Sequence, residues 1–244
     1  MKSITVINDE LCFGGFTSGL NGIWTRNAPS DPPTSDYSSL GDTLGVPLSR
    51  IIRPYQASGC KVGAVGIEHG GMGVIKDNIL KKVDGIVTDG KGIVLSVLAA
   101  DCVPIYLIDK KAEVIGLLHC GWRSAAGELL HNAIERMKEL GASAAEIQVI
   151  IGPHICVECY EVGEDVRNEY HDTFTACELE KIFSVRDNKL FLDLAEAVKI
   201  KAETEGINTE SISVIGGCTC CDKSFYSYRR GDRDKQNAAF IIMK

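Results

Sequence analysis

The sequence predicts a mixed α/β fold organised as one domain over residues 1–244, and three observations predict it. Short continuous apolar runs read as buried strands, and segments with apolar residues every third or fourth position read as amphipathic helices. From residue 83 onward the two kinds alternate, with Gly and Pro between them. No internal repeat and no linker separates two cores.

Residues 11–50 are rich in Gly, Ser, Pro and Asn, with NAPSDPPTSDYSSLGD the loosest stretch, and read as a long surface excursion attached to the domain. The GGMG at 70–73 lacks the strand–loop–helix setting of a phosphate loop and reads as a hairpin turn. Residues 93–99 and 103–108 read as buried strands with Asp101 and Cys102 at their junction. A third strand, 114–118, ends at His119. The spacing of Ala126, Leu129, Leu130, Ala133, Ile134, Met137 and Leu140 predicts a helix stopped by Gly141. Residues 147–151 form another strand, closed by Gly152-Pro153. Val162, Val166, Tyr170 and Phe174 predict a helix over about 161–176, and Leu194, Ala197, Val198 and Ala202 one over about 193–205. Residues 212–215, 225–228 and 239–243 complete the sheet content.

Composition excludes several classes of function. A net charge of −7 argues against a nucleic-acid binder, because phosphate contacts need clustered Lys and Arg. The one dense basic patch, Arg229, Arg230 and Arg233, is interrupted by Asp232 and Asp234 and suits a local anion site. No apolar run reaches the roughly 18–20 residues that cross a bilayer, and the N-terminus lacks a secretory signal. A cytoplasmic protein is expected. Its ten cysteines are then thiols rather than a disulfide framework.

Cys102 and His119 are the residues most able to carry chemistry. They fall at the ends of neighbouring strands, where two residues 17 apart in sequence can meet. Thiolate and imidazole are both good Zn²⁺ ligands. An imidazole also activates a thiol as a nucleophile. A buried thiol beside a satisfied histidine has the same letters, and spacing alone leaves all three open.

The flanking segments add a resemblance. VDGIVTDGKGIVLSVLAADCVPIYLID, VIGLLHCGWRSAAGELL, IGPHICVECYEVG and FYSYRR resemble the multicopper polyphenol oxidoreductase (laccase-domain) family. That family is also described as purine nucleoside phosphorylase and, in one branch, as peptidoglycan editing factor. The resemblance runs over nearly the whole chain, with the ADC-x-P and H-x-GWR segments its most specific part. It implies a layered α/β/β/α fold and a His–Cys–His metal site, with zinc the usual occupant and copper claimed for oxidase activity. It also implies a small-molecule substrate, a purine nucleoside with phosphate, undergoing phosphorolysis or, for adenosine, deamination. Cys102 falls on the cysteine ligand and His119 on the second histidine ligand.

The chain departs from that pattern at the first histidine. The family's Gln-Val-His-Gly reads Gln56-Ala57-Ser58-Gly59 here, so Ser58 stands at the missing position. A neutral hydroxyl is a poor Zn²⁺ ligand. Three readings follow: His69 substitutes as a ligand; the metal is lost and a metal-free Cys102–His119 dyad acts as a cysteine hydrolase; or the chain is a non-catalytic binding protein with a degenerate site. Cys120 follows His119 where the family has alanine, and points away from it if the strand continues. Ser124 stands where the family has glycine.

Arg123 and Arg229 or Arg230 are candidate phosphate ligands, since a guanidinium offers two parallel donors. Arg123 paired to Asp101 or Asp89 is the structural alternative. Asp101 is placed to orient His119, and Trp122, Tyr160 and Tyr228 to stack on a purine. His154 is a candidate neighbour of the site. Cys156-x-x-Cys159 and Cys218-x-Cys220-Cys221 suggest a second metal site, against which stands the irregular spacing of the latter; loose thiols are the expected reading.

Overall fold

The computed structural model describes residues 3–17, 24–25 and 34–244. Its polypeptide builds two six-stranded sheets packed face to face. In the first, strands run in the order Ser3–Asn8, Cys12–Thr17, Lys235–Met243, Val94–Ala99, Ile51–Ile52, with Trp24–Thr25 paired to the start of Lys235–Met243. In the second the order is Ile212–Val214, Ile147–Ile151, Val103–Asp109, Val114–Cys120, Gly85–Thr88, Val62–Ala64. Each sheet mixes parallel and antiparallel pairs. A small three-stranded sheet, Glu161–Val162, Lys189–Leu192 and Phe183–Arg186, lies apart from both.

The layering follows from strand alternation, because successive residues face opposite sides of a sheet. From Val103–Asp109, Tyr106 and Ile108 face the first sheet and meet Leu95, Val97, Ala239 and Ile241 in a shared core. Val103, Ile105 and Leu107 face the other way, onto the helices Leu129–Glu139 and Leu194–Thr204. These strands are buried on both faces, which is why they read as continuous apolar runs rather than alternating ones. The outer face of the first sheet packs Val94, Leu98 and Phe240 on Tyr37 and Leu40 of the helix Thr34–Leu44. Helix, sheet, sheet, helix is the resulting stack. Tyr106 ties the two sheets, its hydroxyl donating to the Gly15 carbonyl at 2.7 Å.

Several expected elements are confirmed to within two residues: Val94–Ala99, Val103–Asp109, Val114–Cys120, Ile147–Ile151 and Leu194–Thr204. Others need correction. Part of the predicted surface excursion is regular structure, since Cys12–Thr17 lies inside the first sheet and Thr34–Leu44 is a helix; residues 18–23 and 26–33 of it lie outside the described residues. The helix expected through Ala126 to Leu140 is two, Trp122–Ala126 and Leu129–Glu139. Gly127 separates them, and a side chain there would stand 2.6 Å from the Cys60 sulfur. The helix expected over 161–176 shrinks to Glu164–Tyr170, flanked by a short strand and by a second helix, Ala176–Ile182, that Thr175 caps. Residues 225–228 are a loop rather than a strand, fixed by Asn237, whose amide bonds both the Tyr226 backbone and the Ala99 carbonyl.

Candidate active site

The site grows from one corner of the second sheet. In the antiparallel pair Val103–Asp109 and Val114–Cys120, His119 lies opposite Pro104, and Cys102 sits one residue beyond the end of the ladder. The chain enters that corner through Asp101, which holds φ at +88°. A non-glycine residue at positive φ costs about 1–2 kcal/mol, and Asp101 is kept there by its own bonds. Its carboxylate accepts the Thr219 hydroxyl at 2.7 Å and the Arg229 backbone N–H at 2.7 Å, while its carbonyl accepts Ile155 N–H. Three loops are thereby knotted around the residue preceding Cys102.

Cys102 is half-buried and lies beside the His119 ring at the cavity wall. The ring nitrogen Nδ1 donates to the Asp84 carboxylate at 3.0 Å. Asp84 is fully buried and accepts further bonds from the backbone N–H groups of Ala57, Ser58 and Gly59, at 2.8 Å for the latter two. Successive N–H groups of a turn make an anion-binding concavity, and Ser58, at φ +56°, is the residue that closes it. Ser58 therefore stands in a loop whose backbone grips the carboxylate that orients His119. Gln56 fastens the same loop to the first sheet through a pair of bonds to Leu98, and Ser124 donates to the Gly59 carbonyl from below.

Burial opposes charge on both partners, but their contacts outweigh it. Desolvation works to lower His119, while Cys102 and Asp84 beside it raise it to about 9. Burial works to raise Asp84, while His119 and the three N–H donors hold it below the ordinary carboxylate value. Cys, His and Asp form a line in which the outer acid fixes the ring and the ring faces the thiol. That is the arrangement by which an imidazole is oriented for proton transfer.

Cys102 and His119 border a cavity of about 500 Å³, within the range of small-molecule sites, with Asp84 buried behind His119. Its walls include Arg53, Arg123 and Arg229 together with Trp122, Tyr160 and Tyr228. Arg53 is buried and donates from Nε to the Gly73 carbonyl at 3.1 Å. The Arg123 guanidinium lies 4.0 Å over the Trp122 ring and makes no ion pair among the described residues. Arg229 stacks over Tyr160 at 5.2 Å and donates to the Cys159 and Glu161 carbonyls. Cations without carboxylate partners give the cavity a field that favours an anion.

Several sequence-based placements differ from this geometry. The carboxylate on His119 belongs to Asp84 rather than Asp101, which is occupied by Thr219 and Arg229. Arg230 does not line the cavity: its guanidinium is consumed by the carbonyls of Thr219, Cys220, Asp222 and Phe225 and by Asp232. His69 is turned to Gly66 N–H and Glu68 in a short 3₁₀ turn outside the cavity. Cys120 is buried in the core under the helices, on the face away from His119. His154 bonds the Gly152 carbonyl. Among the described residues no third His, Cys or carboxylate gathers with Cys102 and His119 into a metal-sized cluster. With Ser58 offering a neutral hydroxyl, the donor set here does not fit the His–Cys–His zinc site.

Asp84 and Arg53 escaped the sequence reading, which placed Gln56 in its segment but gave it no role. An acid inside the apolar stretch VDGIV was the available signal for Asp84, since a carboxylate beside a buried strand needs a partner.

A second feature appears beside the cavity. The sulfurs of Cys156, Cys159, Cys218 and Cys221 all lie within 4.8 Å of one another, a group that can hold a metal ion.

Comparison with known proteins gives a consistent picture. The family model described as multi-copper polyphenol oxidoreductase laccase matches residues 27–244. A purine nucleoside phosphorylase of Deinococcus radiodurans is 40% identical over 216 residues, covering 87% of this chain and 77% of that one. Adenosine deaminase RL5, from an unknown prokaryotic organism, is 31% identical over 194 residues, covering 79% and 74%. Among solved structures, the hypothetical protein YfiH of Bacillus licheniformis superposes with a TM-score of 0.84 at 26% identity, covering 96% of this chain and 93% of that one. YlmD from Geobacillus stearothermophilus gives 0.82 at 27%, covering 96% and 92%.

Proposed function

Since the chain belongs to the multi-copper polyphenol oxidoreductase laccase family, we propose that it is a cytoplasmic enzyme that phosphorolyses purine nucleosides in the Cys102 cavity. One observation carries this reading. A pocket of about 500 Å³ brings unpaired guanidiniums, aromatic faces and an oriented imidazole to one place. Phosphorolysis asks for those three things: an anion site, a base platform and a proton donor.

Arg123 and Arg53 hold phosphate, Arg123 being kept in place by Trp122. Trp122, Tyr160 and the half-exposed Tyr228 at the cavity wall offer faces for a purine ring. In the reaction a phosphate oxygen forms a bond to the ribose anomeric carbon as the bond from that carbon to the purine nitrogen breaks. The departing purine takes the electron pair and a proton. His119 supplies that proton from the ring edge facing Cys102, while Asp84 keeps the Nδ1 proton in place. Cys102, beside the ring in the cavity wall, positions it for that transfer. The products are free purine base and ribose 1-phosphate.

The test is turnover of inosine, guanosine and adenosine with and without phosphate. Base release that requires phosphate, with the KM for phosphate raised by at least tenfold in Arg123→Met, is expected. Base release at equal rates without phosphate, or ammonia in place of free base, would overturn it. A second reading rests on Asp84: with it, Cys102, His119 and Asp84 form a complete nucleophile–base–orienter line, suited to a metal-free hydrolase. Burst release from an activated ester, with a covalent adduct on Cys102, would favour that reading.

A further inference from the structure

We propose that Cys156, Cys159, Cys218 and Cys221 form a structural tetrathiolate zinc site that fixes one wall of the cavity. The selection of ligands is made by the fold. Of the three cysteines at 218–221, only Cys218 and Cys221 join the group, so the ligands read as Cys-x-x-Cys twice, at 156–159 and at 218–221. The spacing that looked irregular is regular once Cys220, packed against the helical core, is set aside.

Two separate chain segments converge on this point. One follows the strand Ile147–Ile151 and the other follows Ile212–Val214, its parallel neighbour in the second sheet. A bridge pairs His154 with Cys218, and Thr219 N–H donates to the His154 carbonyl, setting the register of the two loops. The Cys156 and Cys221 backbone N–H groups both donate to the Cys218 sulfur, at 3.2 and 3.4 Å. Backbone donors aimed at a sulfur hold it in place and balance its charge when it ligates a metal.

Distances fit one tetrahedral ion. Four thiolates held about 2.3 Å from one zinc ion lie roughly 3.8 Å apart in a tetrahedron, and the four sulfurs here lie within 4.8 Å of one another. Tetrahedral S₄ sets suit Zn²⁺ or an iron centre; zinc needs no redox partner and closes a structural site. Cys156, Cys159 and Cys218 are half-buried and Cys221 is exposed, so an ion can enter. The position explains the role. The Cys159 carbonyl accepts Arg229, the Thr219 and Cys220 carbonyls accept Arg230, and the Thr219 hydroxyl holds Asp101 next to Cys102. A metal closing these loops would hold Tyr160 and Arg229 against the cavity.

The experiment is metal analysis of the full chain purified under reducing conditions from zinc-supplemented medium. About one zinc per chain is expected, retained in Cys102→Ala and in Cys220→Ser and lost in Cys218→Ser and Cys221→Ser. Exchange into cobalt should give the thiolate charge-transfer and ligand-field bands of a tetrahedral S₄ centre. Because the Cys218 and Cys221 variants can fail to fold, native alkylation followed by mass spectrometry gives an independent measure. Exposed Cys177 should react at once and the four ligands only after chelation. Zinc that disappears with Cys102→Ala, iron in place of zinc, a Cys159–Cys221 disulfide, or four cysteines alkylated as fast as Cys177 would each overturn the proposal.

Discussion

Replacing Asp84 by Asn changes one oxygen into an NH₂ group and removes a charge while keeping the shape. The carboxylate it replaces is fully buried and accepts from Ala57, Ser58 and Gly59 N–H and from His119 Nδ1. Whichever way the amide turns, at least one of these donors then faces another donor. Hydrogen bonds to a charged group contribute about 1.5–3 kcal/mol each, and relief of the buried charge recovers part of the loss. A net cost of about 2–3 kcal/mol results. For a chain of this length that lowers Tm by roughly 5–10 °C. The pH dependence carries a sign. Asp84 titrates below its ordinary value in the folded protein, because His119 and the backbone donors outweigh the effect of burial. Its stabilisation is therefore complete above the unfolded carboxyl value of about 3.9 and is lost as pH falls through the folded value. His119, raised to about 9 in part by Asp84, adds a contribution that is complete only below the unfolded histidine value of about 6.5, so the gap between wild type and variant should be constant from about pH 6 to 5 and close below about pH 4. Thermal melts across that range are the assay. A gap under about 2 °C at pH 6, or one that widens on acidification from about pH 5 to 3, would refute the account of the site.

Three further outcomes are expected. Cys102→Ala should lower kcat/KM for nucleoside by about a hundredfold, the scale of a catalytic group moved out of position, while Tm moves by no more than about 3 °C because the thiol is only half-buried; comparable loss of both would mean a structural thiol. Ser58→His should add one zinc equivalent over wild type, measured by metal analysis and abolished by a second Cys102→Ala change; no gain would show that the backbone turn at φ +56° cannot present a ligand to the site. Tyr106→Phe removes the hydroxyl that reaches the Gly15 carbonyl between the sheets, and denaturant titration should show a loss of about 1–2 kcal/mol; an unchanged midpoint would mean another group satisfies that carbonyl.

Membership of an enzyme family and the position of Cys102 and His119 were both readable in the letters. Each motif is local: a corner between two apolar runs, and the end of the next run, brought to the same end of the antiparallel ladder. No helix among the described residues is long and apolar enough to cross a membrane, in keeping with the apolar run lengths. Element limits were legible where a strand is buried on both faces, as in Val103–Asp109, because burial there demands an unbroken apolar run. They were misread where packing overrides periodicity. Two helices meet at Gly127, where Cys60, distant in sequence, leaves no room for a side chain, and 225–228 is a loop whose Tyr226 backbone is bonded by Asn237.

What the sequence by itself determined is therefore the chemistry available: a thiol and an imidazole at neighbouring strand ends, a serine where a histidine would complete a metal site, and cysteines in excess. Tertiary structure decided how those groups are used. It set Asp84 rather than Asp101 behind His119, turned His69 and Arg230 to other duties, and chose four sulfurs out of ten cysteines by bringing together loops 62 residues apart. The physical reason is common to all of these. Local periodicity reports which face of an element is buried, but hydrogen-bond and ligand partners come from segments whose meeting depends on sheet order and register, and no single stretch of sequence encodes that.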